Sequence, residues 1–143
     1  MGLFDGLFGK KDPAAEVKKL LAKATQKFGP PENRQEALQR LVELGTSDAL
    51  AALAQRFTVR VDPSITDDEE KQYVFESLVE AGERAVGPVK AFVEKSEQPT
   101  WGLKVLDRLL PDTEVVEVCL ARLGGASHPL VPLLKARLAA AAH

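Results

Sequence analysis

A chain of 143 residues fits one domain, and 45% hydrophobic with 28% charged residues is the composition of a self-sufficient globular core. A net charge of −2 argues against a broad nucleic-acid surface, and the single Cys119 excludes an intramolecular disulfide. No apolar run approaches the ~20 residues that span a bilayer, and the N-terminus lacks the apolar core and cleavage site of a signal peptide, so a cytoplasmic location is expected.

Charge is unevenly distributed. Residues 1 to 28 carry six lysines against Asp5, Asp12 and Glu16, which leaves the rest of the chain acidic. The opening MGLFDGLFGKK is an amphipathic segment, residues 1–11. On a helix, Leu3, Phe4, Leu7 and Phe8 fall within an arc of about 140°, with Lys10 and Lys11 beyond. This pattern suits weak contact with an anionic membrane surface, or a cover folded onto the first helices. The domain proper is expected over residues 12–143.

Asp12-Pro13 reads as a helix start, with apolar Val17, Leu20, Leu21, Ala24 and Phe28 at helical spacing until Gly29-Pro30-Pro31 stops the run. A second helix is expected from about Asn33 through Ala37, Leu38, Leu41 and Leu44 to Gly45. Thr46-Ser47-Asp48 opens a third, with Leu50, Leu53 and Phe57 on one side. The stretch 58–66, TVRVDPSIT, breaks the periodicity and predicts an extended or looped insertion. Thr66 and Glu69 suggest a capping box for the helix that follows, closed by Gly82. Further helices are expected from about Ala85, after Pro99, over TEVVEVCLARL with Val115, Val116, Cys119, Leu120 and Leu123 as its stripe, and after Pro129 over Leu130, Val131, Leu134 and Leu138.

Self-comparison explains why helices come in pairs. Residues 37–45, ALQRLVELG, align without gaps on residues 74–82, VFESLVEAG, and residues 102–110 form a third copy that keeps Leu103, Leu106 and Leu109. A helical hairpin repeating with one insertion buries its stripe only by stacking on its neighbours.

The stretches LVELGTSDALAALAQRF and LVEAGERAVGPVKAFVEKS resemble HEAT repeats, the second better through Gly82, Ala85, Val86 and Pro88. The resemblance covers roughly residues 33 to 123 and lacks the usual Asp-x-x-Val-Arg turn. The chain is also similar to small bacterial HEAT-repeat proteins that begin Met-Gly-Leu-Phe. This implies an all-α fold, a right-handed α–α superhelix of three to four helical hairpins, and a scaffold that binds other proteins.

Candidates for chemistry are sparse. His128 and His143 stand apart from other metal ligands, and Cys119 falls on an apolar stripe where an inert thiol is expected. No cofactor is implied. The acidic run Asp67-Asp68-Glu69-Glu70, with Asp62 beside it, is the most distinctive feature of the repeat region. It lacks the alternating ligands and glycine of a calcium loop. It reads either as compensation for the helix macrodipole or as a surface for a basic partner. Trp101, the only tryptophan, is either an interface anchor or packing between adjacent hairpins.

The expected function is therefore noncatalytic: a protein-interaction module using Asp62, Asp67, Asp68, Glu69, Glu70 and Trp101. A second reading is a peripheral membrane adaptor at the inner membrane through residues 1–11. A third follows only from the resemblance, in that some HEAT-like proteins are DNA glycosylases or lyases; the acidic charge beyond residue 28 opposes it, and no nucleic-acid partner is expected.

Overall fold

The computed structural model describes residues 13–124 and Ala136. Leu3, Phe4, Leu7, Phe8, Lys10, Lys11 and Asp12 lie outside the described residues, as do His128, His143 and the helix expected over Leu130 to Leu138. Among the described residues the fold is all-α, with seven α-helices and no strand.

Helix α1 (Pro13–Ala24) starts with proline in its first turn, where the missing N–H is not needed. It ends four residues earlier than the apolar spacing predicts. The Thr25 hydroxyl donates to the Leu21 carbonyl at 2.8 Å, closing the last turn, and Phe28 lies in the following loop with its side chain 83% exposed. The expectation that Phe28 continues the buried stripe is thus corrected. Helix α2 (Pro31–Leu44) begins two residues ahead of Asn33, because Pro30 is held extended before Pro31 and Pro31 suits a helical first turn. At its other end Gly45 adopts φ 60° and returns its N–H to the Leu41 carbonyl. The Thr46 hydroxyl then accepts the Ala49 N–H at 3.1 Å, capping α3 (Ser47–Gln55).

A 3₁₀ turn (Arg56–Thr58) leads into the irregular insertion, where Val61 is buried and the Asp62–Pro63 peptide is cis. Helix α4 (Ser64–Ala81) starts earlier than expected. Pro63 is its extended cap residue and no side chain caps it, so the Thr66–Glu69 capping box is not formed; Thr66 already lies in the first turn, its N–H bonded to the Pro63 carbonyl at 3.0 Å. Gly82, at φ 66°, alone joins α4 to α5 (Glu83–Lys95). Helices α6 (Thr100–Leu109) and α7 (Asp112–Arg122) complete the described chain.

Helix α1 packs on α2 and α3, α3 on α5, and α5 on α6 and α7, while α4 packs on α6 and more lightly on α2. The odd helices therefore neighbour one another in chain order, and so do the even ones. The core between them holds fully buried Leu41, Leu53, Leu78, Val89, Val93 and Leu106. At α5–α6 the approach is close: a Cβ on Gly102 would lie 2.8 Å from Val93 Cγ2 and 2.9 Å from the Phe92 ring. Helix α7 differs from its expected stripe. Its buried residue is Val118, with Val115 packed against the core, while Cys119 is only half-buried. The face carrying Val115, Val118 and Arg122 recurs at helical spacing, and Arg122 Nη1 donates to the Val93 carbonyl at 3.0 Å and to the Ser96 carbonyl at the end of α5.

Candidate functional site

The acidic run divides as α4 turns. Asp67, Glu70, Val74 and Leu78 recur at i, i+3, i+7 and i+11 and all four are buried, whereas Asp68 and Glu69 face solvent. A buried carboxylate needs partners, and two arginines supply them. Arg34 of α2 forms a bidentate pair with Glu70, its Nη2 lying 2.9 Å from Oε2 and its Nε bonding Oε1. Arg56, in the 3₁₀ turn and fully buried, donates from Nε to Glu70 Oε1 at 3.1 Å, from Nη2 to Asp67 Oδ1 at 2.8 Å and from Nη1 to the Val59 carbonyl at 2.7 Å.

The set is closed by Lys71, which donates to Asp67 Oδ2 at 2.7 Å, by the Val61 N–H on Oδ1, and by Gln35, which donates from Nε2 to Glu70 Oε2 at 3.2 Å. Arg34 also donates to the Gln26 carbonyl, tying down the loop after α1. No buried side-chain nitrogen or oxygen among the described residues is left without a partner. Burial alone would push both carboxyls upward. Hydrogen bonds from Lys71, Arg56 and Val61 outweigh it at Asp67, and those from Arg34, Gln35 and Arg56 outweigh it at Glu70, so both stay below their ordinary values.

This corrects the reading of the run as one surface. Asp67 and Glu70 are spent inside, holding α2, the 3₁₀ turn, the insertion and α4 together, and only Asp62, Asp68 and Glu69 remain exposed to meet a partner. Helix α4 nonetheless stays acidic outward, with Asp68, Glu69, Glu76 and Glu80 exposed and a single lysine, Lys71, that is already paired.

Above the network runs a groove of about 240 Å³ between α2 and α4. Leu38 forms its floor, Gln35 and Gln39 line the α2 side, and Glu69, Glu70 and Tyr73 line the α4 side. Tyr73 is 37% exposed, and Ile65, two turns earlier on the same side of α4, is 65% exposed. Exposed apolar side chains next to unpaired carboxylates are what an interaction surface requires. The arginines, glutamines and Tyr73 are not part of the surface expected from sequence, although Arg34 shares the i, i+3, i+4, i+7 stripe of Ala37, Leu38 and Leu41.

Trp101 lies elsewhere. Its half-buried ring stacks on Phe57 at 5.6 Å and 8°, meets Phe75 edge-on at 6.1 Å, and carries Lys104 Nζ over it at 4.5 Å. Phe57 in turn meets Phe92 edge-on. The consecutive residues Arg56 and Phe57 thus feed two different clusters, one ionic and one aromatic, and the structure does not bring Trp101 into the groove with Tyr73.

On the odd helices two larger depressions, about 440 Å³ between α1 and α3 and about 520 Å³ between α3 and α5, share Ala51 and Gln55. Each is lined by one lysine and one carboxylate, Lys18 with Asp48 and Lys95 with Glu97. Among the described residues no three His, Cys, Asp or Glu side chains converge as metal ligands. Burial pushes the Cys119 thiol up, which keeps it protonated. No helix among the described residues is long and apolar enough to cross a membrane. Compared with known proteins, the chain matches no family model, no curated protein and no solved structure.

Proposed function

We propose that the chain is a noncatalytic protein-interaction module, built as a right-handed HEAT-like superhelix of three to four helical hairpins. The separate succession of odd and even helices supports this arrangement, as do the glycine turns at Gly45 and Gly82, which close equivalent helices of the repeat. The observation that carries the interaction reading is the α2–α4 groove, where exposed Tyr73 stands beside Glu69 on a base of buried ion pairs, with exposed Ile65 one turn before Glu69 on α4. A docking surface works best when it is already in its bound shape, and a network tying four segments together supplies that rigidity.

Crosslinking of the tagged chain in its own cells, read by mass spectrometry, tests the proposal. Links to one partner that fall around residues 35–39 and 62–73, and vanish in a Tyr73→Ala, Glu69→Lys chain, support it. Links confined to other surfaces count against this face.

A second reading is that of a peripheral membrane adaptor on the inner leaflet. It is favoured by the exposed Lys18, Lys19 and Lys23 of α1, directly after the amphipathic residues 1–11. Equal flotation of the chain with and without Phe4→Ser and Phe8→Ser on anionic vesicles would dismiss it.

A further inference from the structure

The groove between α2 and α4 has a chemical bias that narrows its occupant. Resting on the interaction reading above, we infer that it receives an arginine side chain from a partner protein, with Glu69 and Tyr73 as the recognising pair.

Size is the first argument. A groove of about 240 Å³ is smaller than the roughly 300–1,000 Å³ typical of small-molecule pockets, and it suits one long side chain entering from a partner's backbone. The second argument is hydrogen-bond polarity. Gln35 commits one of its two Nε2 hydrogens to Glu70 and keeps its amide oxygen as an acceptor for the groove. Glu69 is exposed at the rim, and a carboxylate is acceptor-only. Glu70 is saturated by Arg34, Arg56 and Gln35, so it lines the wall without competing for the guest.

The third argument is the placement of charge and ring. Glu69 and Tyr73 are one helical turn apart on α4, so a carboxylate and an aromatic ring border the same opening. A guanidinium carries five donors in a plane and stacks on aromatic faces, which matches a carboxylate, an amide oxygen and a tyrosine ring together. The apolar stem of the same side chain would lie over Leu38.

The neighbouring cations do not reverse this. Arg34, Arg56 and Lys71 are held by Glu70 and Asp67, and Arg40 on α2 is engaged by Glu16 and Glu43. Exposed Glu32 and Glu36 on α2 and Asp68 and Glu76 on α4 leave the outward face negative, with Lys27 and Arg60 as the exposed cations of the adjoining loops. The small-residue surface of α1, α3 and α5 sets one carboxylate against one lysine in each of its depressions, Asp48 with Lys18 and Glu97 with Lys95, so it has no net negative charge to draw the same guest.

The test uses the full chain and three defined probes: an acetylated peptide with one central arginine flanked by leucines, its citrulline counterpart, and its lysine counterpart, at about 0.15 M salt so that nonspecific attraction is screened. Side-chain amide signals of Gln35 and Gln39 report the site by nuclear magnetic resonance. The arginine peptide is expected to shift those signals and to bind about tenfold more tightly than the citrulline peptide, which lacks the charge. Glu69→Gln should weaken it about tenfold and Tyr73→Ala about fivefold, with unchanged thermal unfolding showing that both variants fold.

Equal binding of the arginine and citrulline peptides overturns the inference. So does an absence of binding, preference for the lysine peptide, or a response centred on Ala51 and Gln55. The last result would leave an interaction module standing with its groove misassigned. Arginine binding at Gln35 and Gln39, combined with cellular crosslinks that avoid this face, would instead keep the chemistry and remove the functional reading.

Discussion

Two joints tie the α2–α3 pair to the α4–α5 pair, and they are made of different materials. Helix α2 meets α4 through Arg34, Gln35 and Glu70, with Arg56 and Asp67 behind them. Helix α3 packs on α5, and every buried residue of both helices is apolar: Ala49, Leu50, Ala52, Leu53 and Ala54 on one side, Ala85, Val89, Phe92 and Val93 on the other. An apolar joint tolerates sliding and repacking, because its energy depends mainly on area removed from water. A bidentate pair holds only one register, because its donors and acceptors must meet within tenths of an ångström. The same hairpin neighbours are thus stabilised on one side and aligned on the other.

The sharpest way to break this comparison is to remove the anion that both arginines share. Glu70→Ala leaves Arg34 and Arg56 buried with too little counter-charge, a loss of about 3–5 kcal/mol by analogy with other broken buried pairs. Urea unfolding of the two chains measures it. A loss below about 1 kcal/mol would mean that the charged joint is wet and replaceable.

Acid titrates the same joint without a substitution. Asp67 and Glu70 have their carboxyls held below the ordinary values, near 3.9 and 4.3, so around pH 4 the folded chain binds fewer protons than the unfolded one. Their contribution is therefore present above about pH 4 and is lost as pH falls through the folded-state values. The melting temperature should drop steeply below about pH 4 in the parent chain and more gently in Glu70→Ala. Parallel curves would show that other carboxylates dominate acid unfolding.

Helix α5 of the apolar joint has its own sensitive point where α6 packs on it, at Gly102. Alanine there places a methyl carbon within 3 Å of both Val93 and Phe92, which must move in a closed core, at a cost of about 1–3 kcal/mol. That loss should be the same at pH 4 and pH 7, since no titrating group is involved. A pH-dependent loss would show that the two joints are mechanically coupled.

How much of this was legible in the sequence depends on whether the cause is local. Gly45 and Gly82 mark helix ends because both adopt positive φ, and Thr46 announces a cap because its hydroxyl reaches an N–H three residues away. The buried ion pairs are not local: Arg34 and Glu70 are 36 residues apart, so neither predicts the other. A run of four carboxylates reads as surface when weighed by composition. Read by phase, Asp67 and Glu70 stand on the stripe of Val74 and Leu78, and Arg34 on that of Leu38 and Leu41, so the pattern signalled burial while leaving the partner unnamed. Tyr73 and Gln39 carry no comparable signal, since a groove exists only once two helices are side by side.

The smallest effect belongs to the residue that the stripe alone misplaces. Phe28 continues the apolar spacing of Val17, Leu21 and Ala24, and as a core residue its loss would cost about 3–5 kcal/mol. It instead follows a turn in which Gln26 N–H returns to the Lys23 carbonyl and the Gln26 carbonyl accepts Arg34, which draws the loop toward the charged joint and leaves the ring outside. Phe28→Ser should therefore change stability by no more than about 0.5 kcal/mol, read as a nearly unchanged melting temperature. A large loss would mean that Phe28 is covered in solution by a segment outside residues 13–124, and the charged joint would then have an apolar neighbour that shields it.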